Sequence, residues 1–200
     1  MAAPSVFQIL KSNAVLWFGP VGDAFPDETT VHAGELWGGN WLRLGATKEP
    51  LTCLYEDERA DVNIEESLSP VHRFKTSEAL TFETVLAEID LDYIALATEG
   101  GVAKTAAGAA QKAFDSLTVG NASDLSDYAF GFEGIHLNSA GVALPMRVFM
   151  YRGNAKLGGE LSFSKREDDY TGVPLVIEAL SDSVVLGRLF KIENITGPTT

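Results

Sequence analysis

The stretch from Tyr55 to Thr98 narrows the possible folds more than any other part of the chain. It opens on an acidic turn, Glu56-Asp57-Glu58-Arg59, and continues in strict alternation, with Ala60, Val62 and Ile64 pointing one way and Asp61, Asn63 and Glu65 the other. A period of two is the mark of a β-strand with one face buried and one in water. Ser69-Pro70 breaks the run, and Val71 to Lys75 resumes it. A third strand sets Leu80, Phe82 and Leu86 on its apolar side and Thr81 and Glu83 on the other. Asp90 is then placed to cap a short helix with Leu91, Ile94 and Ala95 at helical spacing, closed by Gly100-Gly101.

The remaining chain is mostly short strands and turns. Val6 to Leu10 and Ala14 to Phe18 read as two strands that end at Gly19-Pro20. From residue 19 to 40 no period is sustained, and a loop of about twenty residues inside one domain is uncommon and often bound by a partner. Trp37 and Trp41 bracket a glycine pair in it and are expected to pack the loop back onto the core. Trp41 to Leu44 is a further strand. The Ala- and Gly-rich segment 102–114 reads as a connection with at most a helical turn. Tyr128, Phe130 and Phe132 alternate along an aromatic face opposite Gly131. Leu144 to Tyr151 is apolar on both faces apart from Arg147, as a central strand would be, with Arg152-Gly153-Asn154 as its turn. Leu161 and Phe163 alternate with Glu160, Ser162 and Ser164, a charged turn follows at 165–169, and Val173, Leu175, Ile177 and Ala179 keep strand register. Leu189 to Ile195 is the last strand, before a short C-terminal tail.

About ten short strands, one helix and many glycine-rich turns predict a single domain over 1–200. Its class is mainly β, an antiparallel sandwich or barrel with one short flanking helix and long loops. Two hundred residues are enough for a sizeable core. Charge is the outlier, with 28 acidic residues against 15 basic ones and a net of −13. That balance argues against wrapping nucleic acid, which needs cations to displace counterions. The single cysteine, Cys53, sits in an apparent strand and reads as a buried apolar residue. The N-terminal residues lack a secretory pattern, no apolar run is long enough for a bilayer, and synthesis in a reducing cytoplasm is expected.

Catalytic patterns are missing: no G-x-S-x-G, no H-E-x-x-H and no P-loop. His32, His72 and His136 stand far apart with no second ligand at metal spacing. Glu65-Glu66 and Asp168-Asp169 are adjacent pairs that point apart or into water, unlike carboxylates set across a cleft. The expectation is a non-enzyme that needs no cofactor.

The order of acidic turn, alternating strand, Ser67-Leu68-Ser69-Pro70-Val71, Lys75-Thr76, strand and Leu-rich helix resembles the major tail tube proteins of long, non-contractile-tailed bacteriophages. The run Asp169-Tyr170-Thr171-Gly172-Val173-Pro174-Leu175 with its closing strand is similar to that family's C-terminal pair. The resemblance implies a virion protein whose hexameric rings stack into a tube, with each subunit giving strands to an inner barrel. DNA and a tape-measure protein would fill the lumen, and tail-terminator and tail-tip proteins would be further partners. No specific nucleic-acid or membrane binding is implied.

Under that resemblance, Asp61, Asn63, Glu65, Glu83 and Glu160 are candidates for an acidic lumen wall from which DNA slides free. Asp23, Phe25, Asp27 and Trp37 in the long loop, and Leu91 and Ile94 on a helix apolar nearly all round, are candidates for contacts between subunits. A monomeric β-sandwich that binds a ligand or decorates a capsid, with Tyr128 to Phe132 lining a pocket, is the alternative. A tail-completion protein making one ring is another.

Overall fold

A computed structural model describes residues 9–10, 15–27, 31, 34–62, 65, 69–108, 111–120, 124–137, 142–161 and 172–195. The predicted strand over 159–165, apart from its first residues, the charged turn 165–169, Asn63 and the terminal tail lie outside them. The chain is mainly β, with antiparallel strands in a sandwich-like arrangement and one α-helix.

Eleven strands are described: β1 (Ile9–Leu10), β2 (Val15–Pro20), β3 (Leu42–Ala46), β4 (Thr52–Val62), β5 (His72–Leu86), β6 (Gly101–Thr105), β7 (Phe114–Thr118), β8 (Tyr128–Leu137), β9 (Ala143–Leu157), β10 (Val173–Ala179) and β11 (Phe190–Asn194). Nine form one sheet in the order β3-β2-β8-β9-β10-β5-β4, with β1 added to β8 and β11 to β9. β10 and β11 lie in line along β9, pairing its residues 153–157 and 146–150, and the excursion 180–189 stands between them. At the far end the sheet curls, and the Lys48 and Ala87 amides tie the chain after β3 to the end of β5.

Side-chain alternation explains which strands are covered. Leu16, Leu80, Phe82, Leu86, Phe130, Phe132, Met150, Val173, Leu175 and Ile177 share the main core, closed by helix α1 (Leu91–Thr98) through Ile94, Leu96 and Ala97. On the opposite face of β2, β8 and β9, a second core joins Trp17, Trp37, Trp41, Ala129 and Phe149. Strands 80–86, 128–132 and 173–179 therefore lie as their periodicity predicts. The Asp90 carboxylate accepts the Asp92 amide, so the predicted cap is present. The helix ends one residue earlier than expected, on Glu99 in the left-handed region (φ 52°), whose side chain accepts the Ser126 amide.

Five expectations need correction. The stretches 71–75 and 80–86, read as two strands, belong to one, β5. Glu56 to Arg59 is the middle of β4 rather than a turn, because β4 pairs with β5 continuously from Thr52 to Val62. Segment 101–118 is a β-hairpin of β6 and β7 beside α1, not a helical connection. Arg152-Gly153-Asn154 does not turn β9, which runs on to Leu157. A Cβ on Gly153 would lie 2.7 Å from the Glu178 carbonyl oxygen, so this glycine serves a close strand approach. Cys53 is exposed on β4, an edge strand with no further described strand beside it.

Candidate assembly surface

Beyond the last contact with β10, at Thr81–Glu178, β5 continues with only β4 for a partner among the described residues. The outer halves of the two strands, Glu56–Val62 and His72–Ala79, form a two-stranded arm roughly 24 Å long. Every described residue of the arm is exposed except the half-buried Asp57 and Ala60. The alternation read from the sequence is real here, but its inference of one buried face is wrong: amphipathy is present and no described residue buries either face.

Register assigns each side chain to a face. Cys53 pairs with Phe82 and Tyr55 with Leu80, so the odd residues of β4 lie on the core side. One irregularity, at Thr76 of β5, puts Lys75 opposite Arg59 and Arg73 opposite Asp61 on that same side. The core-side face is thus a ladder of ion pairs. Arg59 Nε donates to Asp57, Arg73 Nε donates to Asp61 Oδ1 at 2.6 Å, and Lys75 Nζ donates to Glu78 at 2.8 Å and to Tyr55 Oη at 2.6 Å. The Arg59 hydrogen bond holds Asp57 below the usual carboxylate range, and those from Lys75 and Tyr55 do the same for Glu78. The other face carries Leu54, Glu56, Glu58, Ala60 and Val62 beside Phe74 and Ala79, with Phe74 49% exposed.

The lumen candidates do not share one wall. Asp61 is on the core-side face and already bound by Arg73, whereas Glu83 pairs with Thr52 on the opposite face. Glu65 lies in the turn beyond β4, and Glu160 stands exposed past the end of β9, on no described strand. Asn63 lies outside the described residues. The reason is register: Cys53 opposite Phe82 and Tyr55 opposite Leu80 put the odd residues of β4 on the face of the even residues of inner β5, so Asp61 and Glu83 diverge.

The aromatic residues of the long loop pack within the chain, while Leu36 and Gly38 to Asn40 stay exposed. Phe25 contacts Trp41, Phe149 and Tyr151, and Trp37 stacks on Trp17 at 5.1 Å and 6°. Gly131 permits this, because a Cβ there would sit 2.2 Å from the Trp37 ring. The Trp41 indole donates to the Ala24 carbonyl, and Asn40 donates to Asp23. Trp37 and Ile94 are buried inside the chain and leave the subunit-contact set, whereas Phe25 is half-buried. Asp27 is exposed, and Asp23 and Leu91 are half-buried. The two tryptophans anchor the loop as the sequence suggested.

A buried pair escaped the sequence reading. Arg147 Nε donates to Glu133 Oε2 at 2.7 Å, Glu133 Oε1 accepts the Gly34 amide at 2.7 Å, and an Arg147 Nη donates to the Val31 carbonyl at 2.7 Å. Two sheet residues so clamp the loop. The available signal was Arg147 alone in an apolar central strand, since such a charge needs a partner. Among the described residues no three His, Cys, Asp or Glu gather as metal ligands. No described helix is long and apolar enough to cross a membrane. Compared with known proteins, the chain matches no protein-family model and no curated protein.

Proposed function

We propose that this chain is a structural subunit whose hexameric rings stack into the tail tube of a long, non-contractile-tailed phage, the conduit for DNA during ejection. The observation that carries the reading is the arm. A two-stranded ribbon is marginal in water by itself, and this one leaves Val62 38% and Phe74 49% exposed, with Leu54 and Tyr55 exposed at its base. Among the described residues the outer edge of β4 is unpaired over eleven residues, and a neighbour in a ring would close it. The ring number and the stacking come from the sequence resemblance. In this reading the chain is made in the host cytoplasm and acts by shape and assembly, without cofactor or catalysis. Tape-measure protein and DNA fill the bore, and terminator and tip proteins close its ends.

Electron microscopy and light scattering of the purified protein test the proposal. Rings or tubes of uniform width are expected as concentration rises. A particle that keeps the mass of one chain at every concentration would leave the monomeric sandwich as the better reading.

A further inference from the structure

We infer that the recess between helix α1 and the ends of β2, β3 and β8 is a binding site for a small aromatic amine, a cation carried on a flat apolar body. None of its groups lies on the arm, so the site goes beyond the ring reading and does not depend on it. The main core stays open at this end. Phe18 and Leu42 pair across β2 and β3, and Tyr128 starts β8, but α1 does not close over them: Leu42 is 59% exposed, and Phe18 and Tyr128 are half-buried. The recess that remains holds about 600 Å³, within the roughly 300–1,000 Å³ of small-molecule sites. Its floor is aromatic. Phe18 and Tyr128 meet edge to face at 5.6 Å, and Tyr93 and Leu96 line the helix side.

The rim decides the charge of the ligand. It carries Asp90, Asp92 and Glu99 from the helix and its two caps, and Arg43 from β3. Asp92 is taken by Lys104 at 2.9 Å. Asp90 and Glu99 each spend one oxygen on a backbone amide, of Asp92 and of Ser126, which holds the carboxylate in place and leaves its other oxygen without a partner among the described residues. Tyr93 feels the sum of these charges. Burial pushes its hydroxyl up from the usual phenol range, Glu88, Asp90 and Asp92 push it the same way, and Arg43 alone opposes them. The field in the recess is therefore negative, and a cation enters it more easily than an anion. Ring faces add to this, since the quadrupole of a tyrosine or phenylalanine attracts a cation placed over it. A neutral aromatic would gain the floor alone, and a bare ammonium ion the rim alone.

Ligand-observed NMR titration of the full chain with phenethylamine, phenethyl alcohol and hydrocinnamate tests the site in any state of assembly. The amine should bind saturably with a dissociation constant on the order of 1 mM, as suits so small a ligand. The alcohol should bind several-fold more weakly and the carboxylate most weakly. Arg43→Gln should tighten the amine, and Glu99→Gln, whose side-chain oxygen can still accept the Ser126 amide, should weaken it, each by about two- to fivefold. Tyr128→Leu should weaken it by about threefold or more. Glu56→Gln, the same loss of charge placed on the arm, should leave binding as it is. No saturable binding of the amine, or an alcohol bound as tightly, overturns the inference. So does a Glu56→Gln effect equal to that of Glu99→Gln, which would show attraction to the net charge of the chain instead of to this recess.

Discussion

Replacing Arg147 by Met tests how the long loop is held. Arg147 is 0% exposed and Glu133 6%, so the substitution strands a carboxylate in the sheet with the Gly34 amide as its remaining clamp contact. Removing one partner of a buried pair costs about 3–5 kcal/mol, a large share of the roughly 5–15 kcal/mol that keeps a domain folded. The double variant Glu133→Leu with Arg147→Met removes both charges. What remains is the loss of partners for the Gly34 amide and the Val31 carbonyl, about 1–2 kcal/mol where water reaches them. The double variant should therefore be more stable than Arg147→Met alone. Urea unfolding followed by tryptophan fluorescence measures both, since Trp17 and Trp37 lie in the core that the loop completes. An Arg147→Met protein within about 1 kcal/mol of wild type would refute the clamp.

Gly131→Ala places a methyl 2.2 Å from the Trp37 ring, and the indole must leave its stack on Trp17. A loss of about 2–4 kcal/mol with red-shifted emission is expected, and an unshifted spectrum would show that the loop re-seats without cost. Acid should loosen the arm before the core. Asp57 and Glu78 titrate below their ordinary range when folded, so their stabilisation is complete above the unfolded carboxylate value and fades as pH falls through the lower folded one. Amide protection of Glu56–Val62, corrected for intrinsic exchange, should drop below about pH 4 while that of Leu80–Leu86 persists. Protection of Glu56–Val62 that persists as well as that of Leu80–Leu86 would sink this account.

Elements that bury a face within the chain were legible. Leu80, Phe82 and Leu86, then Val173, Leu175 and Ile177, carry a period of two because the other face meets a more polar surface, and Asp90 marks a helix start by the bond its carboxylate makes. The arm was legible as strands and illegible as an arm. Alternation records that a ribbon has two unlike faces, and says nothing of what covers them. The β6–β7 hairpin hid because an Ala- and Gly-rich run separates its strands in sequence, and Phe114 and Leu117 of β7 do not fall at a period of two. Gly100 there has a packing role, since a Cβ would meet Leu117 at 2.6 Å. The Glu133–Arg147 clamp was beyond reach because it depends on the register of β8 against β9, which places those two residues opposite each other.

The same register decides where the acidic surplus can act. Along the core-side face of the arm, Asp57, Asp61 and Glu78 are each matched by a cation within hydrogen-bond distance. Salt at physiological strength screens over about 8 Å, so such a pair is close to neutral for a phosphate that far away. Glu56 and Glu83 are different: they share the opposite face and form no ion pair among the described residues. Asp61, the centre of the wall drawn from sequence, is the carboxylate least able to repel a passing strand, since Arg73 already grips it through two nitrogens. Under the tube reading, the surface that keeps DNA from sticking is therefore the face of Glu56 and Glu83 rather than that of Asp61.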